Sequence, residues 1–322
     1  ILDKSITGKS YLSKIKSLKG YLCKENIDLM LITSSENIAW LLNIRGMDSE
    51  YTPIPHCYIL IDKNKNVKLF CNLKKIPKFF KKYYNDIQFL DISRTSEILS
   101  NIQDKKILID RNTCSLRFES IISKKNQILQ FDDPIYNFKA IKDKKEIKNI
   151  KLAHFYDGIA LTKYLFWVKR NFEARKITEI SAAKKLYEFR KKNEKFKFLS
   201  FPTISGTGPN GAIIHYNACK KTNKVLKKGQ IYLVDSGGQY EFGTTDVTRT
   251  ISLKNYNKAI TYYNSVISIK PDYADAHNNL GNALKELKRY EEAVSSYNRA
   301  IELQPEYVGA HHNLGVLYED NG

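Results

Sequence analysis

Two aspartates and a histidine are the residues of this chain best placed to do chemistry. His215 lies at the end of a glycine-rich loop, SGTGPNGAIIHY, Asp235 follows the apolar run IYLV, and Asp246 opens the return run DVTRTI. β-type runs on either side of GGQYEFGTT predict a hairpin from Gln230 to about Ser252. In a twisted hairpin, two such carboxylates can converge on one face. Adjacent carboxylates repel, so a fold that brings them together usually supplies cations. Two divalent metals about 3.5–4 Å apart, bridged by hydroxide, meet that need. A plainer role suits the same residues: aspartates of a hairpin turn capping backbone N–H groups, and a loop histidine satisfied by a hydrogen bond. Spacing alone leaves both readings open. Gly208, Gly211, Gly237 and Gly238 are read as turn formers, and Thr248 and Arg249 as hairpin supports without chemistry.

The elements that must hold these residues follow from periodicity. Ser10 to Lys24 has helical spacing, DLMLIT (from Asp28) is a buried strand, and Asn37 to Ile44 is a short helix. Strands are predicted at His56 to Ile61 and Val67 to Cys71, joined by the turn DKNKN, and again at Ile107 to Asp110. That mixture predicts an α/β domain, closed by Asp132-Asp133-Pro134. Lys144 to Lys169 is a long amphipathic helix, and a second helix, capped by Thr178, runs to about Lys192. Strand and turn sequence fills Phe198 to Leu253.

From Lys254 the pattern changes. Ala276-His-Asn-Asn-Leu-Gly281 recurs as Ala310-His-His-Asn-Leu-Gly315, and Pro271 recurs as Pro305, at an offset of 34 residues. Small residues and a helix-breaking proline at that period are the tetratricopeptide (TPR) signature, here one full repeat and two partial ones. Charge changes at the same place: residues 254–322 carry seven basic and nine acidic side chains, a net −2, whereas the residues before them carry +21. No glycine- or proline-rich linker marks the junction, an arrangement that also fits two joined gene fragments.

Composition narrows the function classes. Lysine outnumbers arginine about four to one and travels with Asn, Ile and Tyr, so the positive charge is read as codon bias, not as a nucleic-acid surface. No apolar run approaches the roughly 18–20 residues a membrane span needs. Five scattered cysteines without C-x-x-C spacing fit reduced thiols and a cytoplasmic setting. The opening Ile1 and the final Asp320-Asn-Gly322 suggest that both ends are cut.

GPNGAIIHY followed by VDSGGQYEFGTTDVTRT resembles the Xaa-Pro aminopeptidases (aminopeptidase P) of the pita-bread metallopeptidase superfamily. EISAAKKLYEFRK, FLSFPTISGTG and IAWLLNIRGMDSEYTPIPHCY carry the same resemblance, which covers most of residues 1–253. It implies an α/β, creatinase-like N-terminal domain over 1–135 and the first half of an α+β pita-bread domain over 136–253. An all-α TPR array would follow over 254–322. The implied reaction is release of the residue before proline by attack of a metal-bridging hydroxide. Its substrates would be peptides with proline second, and its cofactors two divalent metals, with Mn²⁺ expected. Asp235 resembles the bidentate ligand of one metal, Asp246 the aspartate bridging both, and His215 the histidine that contacts substrate near the scissile bond.

The family's other ligands are a histidine in an HGxGH-type motif and two later glutamates, and nothing here matches them. His277, His311 and His312 belong to the repeats. The expectation is therefore an incomplete and inactive catalytic domain that does not hold metals stably. The alternatives are partner binding in a TPR groove, or a catalytically silent pita-bread module.

Overall fold

The computed structural model describes residues 1–64, 67–253 and 256–321. Lys65 and Asn66 of the DKNKN turn, and Lys254 and Asn255 at the expected domain boundary, lie outside the described residues. The chain opens with α1 (Lys4–Thr7), α2 (Tyr11–Lys24), β1 (Leu29–Ile32), α3 (Ser35–Leu42), β2 (Cys57–Asp62) and β3 (Val67–Cys71). There follow α4 (Lys78–Tyr83), β4 (Ile87–Asp91), α5 (Thr95–Ser100), β5 (Lys106–Ile109), α6 (Leu116–Ser123), β6 (Gln127–Gln130) and α7 (Ile135–Ala140). Next come α8 (Lys144–Asn171), α9 (Glu179–Lys191), β7 (Phe196–Leu199), β8 (Ile204–Thr207) and β9 (Ile231–Ser236). The short strands β10 (Gly238–Tyr240) and β11 (Gly243–Thr244) precede β12 (Val247–Ser252). The last four elements are α10 (Tyr256–Ile269), α11 (Ala274–Glu286), α12 (Tyr290–Leu303) and α13 (Val308–Asn321).

Two compact units result, the first made of Ile1–Asp157, Lys195–Phe201 and Gly238–Thr245. Its main sheet has the order β4-β3-β2-β1-β5-β6, with β1 antiparallel to β2 and parallel to β5. Side chains alternate across a strand, and β1 uses both faces: Met30 and Ile32 enter one apolar cluster, Leu29 and Leu31 another. All four are buried, which explains an unbroken apolar run where alternation might have been sought. Ser10 caps α2 by accepting from the Ser13 N–H, so the helix starts where its sequence pattern does.

In the second unit, β8, β9 and β12 form an antiparallel sheet with β9 in the middle. One side of β9 packs on α8 and α9 through Tyr232 and Val234, against Leu161, Tyr164, Val168, Ala182 and Leu186. Thr178 and Ser181 cap α9 reciprocally, as a capping box.

The predicted hairpin needs one correction. β9 and β12 do pair, from Val247↔Ser236 to Ser252↔Ile231, but the tip forms separate strands, with β10 paired to β7 and β11. Gly237 and Gly238 stand where the ribbon leaves one sheet for the other. Gly238 is thus no turn former. It lies in β10, where an added Cβ would come within 2.9 Å of the Phe196 ring and 3.1 Å of the Tyr240 ring. Gly208, at φ +55°, does hold a left-handed turn as expected.

The four C-terminal helices start at positions 256, 274, 290 and 308, so each pair is offset by 34 residues. His277 Nε2 lies 2.9 Å from the Pro271 carbonyl, and His311 Nε2 lies 2.8 Å from that of Pro305. The same bond at equivalent places makes both histidines parts of the helical framework. Ala259, Ala293 and Tyr297 pack with Leu284 and Leu317 in a small core of their own.

Candidate metal centre

β9 is a strand with two unlike faces. Tyr232, Val234 and Ser236 are buried, whereas Ile231, Leu233 and Asp235 are half-buried. On the covered side the fully buried Arg190 of α9 donates from Nη2 to Ser236 Oγ at 3.0 Å. Tyr164 and Tyr232 hydroxyls meet at 2.5 Å, and Tyr232 meets Ser205 Oγ at 2.8 Å. Burial pushes the Tyr232 phenol up to about 12, so this chain of hydroxyls is neutral at ordinary pH.

Asp235 points to the other side. Its partner across the ladder is Thr248, and Asp246 lies two residues before Thr248. Asp246 immediately precedes β12, next to the ladder pair Val247↔Ser236. Asp246 is exposed, as are Thr248 and Arg249, and Arg249 Nη1 donates to the Thr248 carbonyl at 2.8 Å. Asp235 thus occupies the sheet face turned away from α8 and α9, and Asp246 sits at the start of the strand paired with β9.

Asp235 Oδ1 is buried and has no hydrogen-bond partner among the described residues. A charged acceptor left unsatisfied costs upward of about 1–3 kcal/mol, a cost that a hard divalent cation on the same oxygen removes. The Asp235 carboxylate therefore fits a divalent metal as one of its donors. Among the described residues no group of three or more His, Cys, Asp or Glu side chains stands together to hold an ion. His215 is not brought into a ligating cluster with the two aspartates.

His215 lies in the segment after a 3-10 turn, Gly208–Ala212; it is exposed and takes a left-handed φ of +54°. That turn passes over the Asp235 face, since a Cβ on Gly211 would lie 3.6 Å from Leu233 Cβ. The turn is held from beneath by Glu179, which is fully buried. Sequence reading missed this residue, because an acid in the first turn of a helix looks like a simple partner for the helix dipole. Asn210 and Tyr216, on either side of His215, were the available signal.

A cavity of about 930 Å³ belongs to the first unit, lined in part by Lys14, Trp40, Arg45, Glu146 and Phe198. None of Asp235, Asp246 and His215 lines it. Its size makes it conspicuous, but the paired carboxylates and the orphaned oxygen lie elsewhere.

Comparison with known proteins decides the family. The Creatinase/Prolidase N-terminal domain pattern matches residues 1–146, and that of Metallopeptidase family M24 matches residues 148–320. The chain belongs to metallopeptidase family M24. It is similar to the probable Xaa-Pro aminopeptidase P of Laccaria bicolor, 37% identical over 257 residues, covering 77% of this chain and 40% of that protein. Xaa-Pro aminopeptidase 1 of Dictyostelium discoideum is 38% identical over 257 residues, covering 78% and 40%. The chain thus spans about two-fifths of the length of these curated relatives.

Among solved structures, the X-prolyl aminopeptidase of Caenorhabditis elegans superposes with a TM-score of 0.78 at 25% identity. The match covers 89% of this chain and 50% of that one, which is described as a cytosolic enzyme with a di-nuclear active site. The Xaa-Pro dipeptidase of Bacillus anthracis shares the fold, with a TM-score of 0.60 at 18% identity over 88% of this chain and 79% of that one. The creatinase-like N-terminal domain and the pita-bread M24 fold are thereby established. The M24 match runs on to residue 320, across the helices that sequence reading assigned to a separate repeat protein. Among the described residues no helix is long and apolar enough to cross a membrane, and all five cysteines are free.

Proposed function

We propose that this chain carries Asp235 and Asp246 as ligands of the two divalent metals of an Xaa-Pro aminopeptidase-type site, with His215 facing the substrate. The observation that carries the reading is the Oδ1 of Asp235, buried without a partner among the described residues, with Asp246 directly before the strand paired to β9. The bound metals would supply Lewis acidity and a nucleophilic water at neutral pH. The chain's own residues do the rest. Asp235 and Asp246 give hard oxygen donors suited to Mn²⁺, and His215 offers a ring N–H to the carbonyl before proline. The substrates are peptides with proline second, met in the cytoplasm.

Two carboxylates are only part of a coordination shell, so in this chain they bind metal weakly and turnover needs further ligands. The partition into an N-terminal domain (1–135), a partial catalytic domain (136–253) and a helical segment (254–322) belongs to the same proposal. The test is release of the first residue from an Xaa-Pro peptide with saturating Mn²⁺. The expected result is no turnover by this chain and turnover once the missing histidine and glutamates are supplied. Turnover by this chain alone, unaffected by Asp235→Asn, contradicts the reading.

The 34-residue offset of the helices and the repeated His–Pro bond favour a second reading, in which residues 256–321 are TPR-type hairpins that bind a partner's extended segment. A partner captured equally by the full chain and by one ending at Leu253 counts against it. A long DNA read across the codons for Thr245 to Tyr263 tests the remaining alternative of two joined gene fragments. An unbroken frame removes that alternative.

A further inference from the structure

Glu179 is an acid with no exposed surface, at the first position of α9, and its bonds converge on one loop. Oε1 accepts from the Thr207 N–H at 2.8 Å and from Asn210 Nδ2 at 3.0 Å. Oε2 accepts from the Tyr216 hydroxyl and the Lys224 N–H, both at 2.9 Å, and from Asn210 Nδ2 at 3.1 Å. Its main chain is tied as well: Ser205 Oγ donates to the Glu179 carbonyl at 2.8 Å, and the Glu179 N–H to the Lys224 carbonyl at 3.0 Å.

These partners have a pattern. Thr207 and Lys224 are the two ends of the loop, while Asn210 and Tyr216 lie before and directly after His215. Ser205 and Thr207 belong to β8, whose Ile204 pairs with Asp235. One carboxylate therefore ties the His215 loop to the strand beside the Asp235 ligand. A buried carboxylate is retained only with several donors, and four groups supply them here. Burial pushes the Tyr216 phenol up, so it keeps the proton it donates.

We propose that Glu179 is the positioning residue that fixes the His215 loop beside the Asp235 strand, acting through Asn210 and Tyr216 without touching substrate. The proposal rests on the reading of His215 as the substrate-facing histidine, but its test does not require turnover.

The experiment is NMR on the full chain: the His215 imidazole signal, identified with His215→Ala, and hydrogen exchange at the Thr207 and Lys224 amides. Glu179→Gln keeps the size but loses the charge and turns an N–H₂ toward donors. The expected result is a shifted or broadened His215 signal and a roughly tenfold to hundredfold loss of protection at both amides. Mn²⁺ broadening at Asp235 should stay as in the parent chain, which a general loosening of the sheet would not allow. A folded Glu179→Gln chain with His215 and both amides unchanged overturns the proposal. Tyr216→Phe, which removes one hydroxyl, gives the same readout if Glu179→Gln does not fold; an unmoved His215 signal there also overturns it. If the parent chain shows no Mn²⁺ broadening at Asp235, the metal reading fails by itself. The hold of Glu179 on His215 is still decided by the imidazole signal.

Discussion

The six-stranded sheet of the first unit and the β8–β9–β12 sheet of the second obey the same alternation and put it to different use. In the first, Leu29 and Leu31 point one way and Met30 and Ile32 the other, and both sides are buried. In the second, Tyr232, Val234 and Ser236 are buried under helices, while Ile231, Leu233 and Asp235 remain half-open. Where a strand is sealed on both faces, as β1 is, it is scaffold with no room for a ligand. A sheet sealed on one face can offer acids on the other, and there Asp235 keeps a buried oxygen without a partner among the described residues. The difference separates the residues that hold the fold from those free to do chemistry.

The largest expected effect tests the sealed sheet. Phe70 of β3 has no exposed surface, so Phe70→Ala should cost about 3–5 kcal/mol, read as a lower urea midpoint.

Next comes pH. Burial lowers Lys14, on α2 of the first unit, to about 8. Between that value and the usual 10.5, the unfolded chain holds a proton that the folded chain has released. Stability should therefore rise with pH across that window, by at most about 1.4 kcal/mol per unit. Above pH 10 the sign reverses, because burial raises the Tyr11 and Tyr84 phenols and the folded state then holds the extra protons. Melting temperature against pH should peak between these limits, and Lys14→Met should remove the rising limb.

A smaller effect, of opposite sign to an ordinary core mutation, is expected on the open face. Asp235→Asn alters a carboxylate whose buried Oδ1 has no hydrogen-bond partner among the described residues, so without metal it should leave stability unchanged or raise it by up to about 1–3 kcal/mol. A loss as large as that of Phe70→Ala would make Asp235 a structural residue and break the comparison. Smallest of all, Thr248→Ala on the exposed ladder position opposite Asp235 should stay within about 0.5 kcal/mol of the parent in thermal unfolding.

Much of the scaffold was legible where one physical rule acts alone. β3 runs from Val67 to Cys71 as its apolar pattern does, and Ser10 and Thr178 cap the helices they precede. The edge strand β6 was not visible, because QILQ offers two apolar residues between exposed glutamines and no alternation. β4, on the opposite edge, was hidden in the same way by IQFLD, in which only Ile87 is buried. At the site, the pairing of the strands that carry Asp235 and lead from Asp246 followed from hairpin periodicity, and the likeness of both residues to metal ligands from the motif. Two features needed three dimensions. Gly238 packs against rings contributed by β7 and its own strand, and Glu179 collects donors spread from Thr207 to Lys224.

The central claim is that the open face of β9 is where metal binds, and Mn²⁺ titration followed by amide NMR tests it most directly. The account predicts paramagnetic broadening centred on Asp235 and Asp246, at concentrations reflecting a partial coordination shell, and its loss in the Asp235→Asn, Asp246→Asn double variant. Broadening centred elsewhere, or unchanged in that variant, would contradict it.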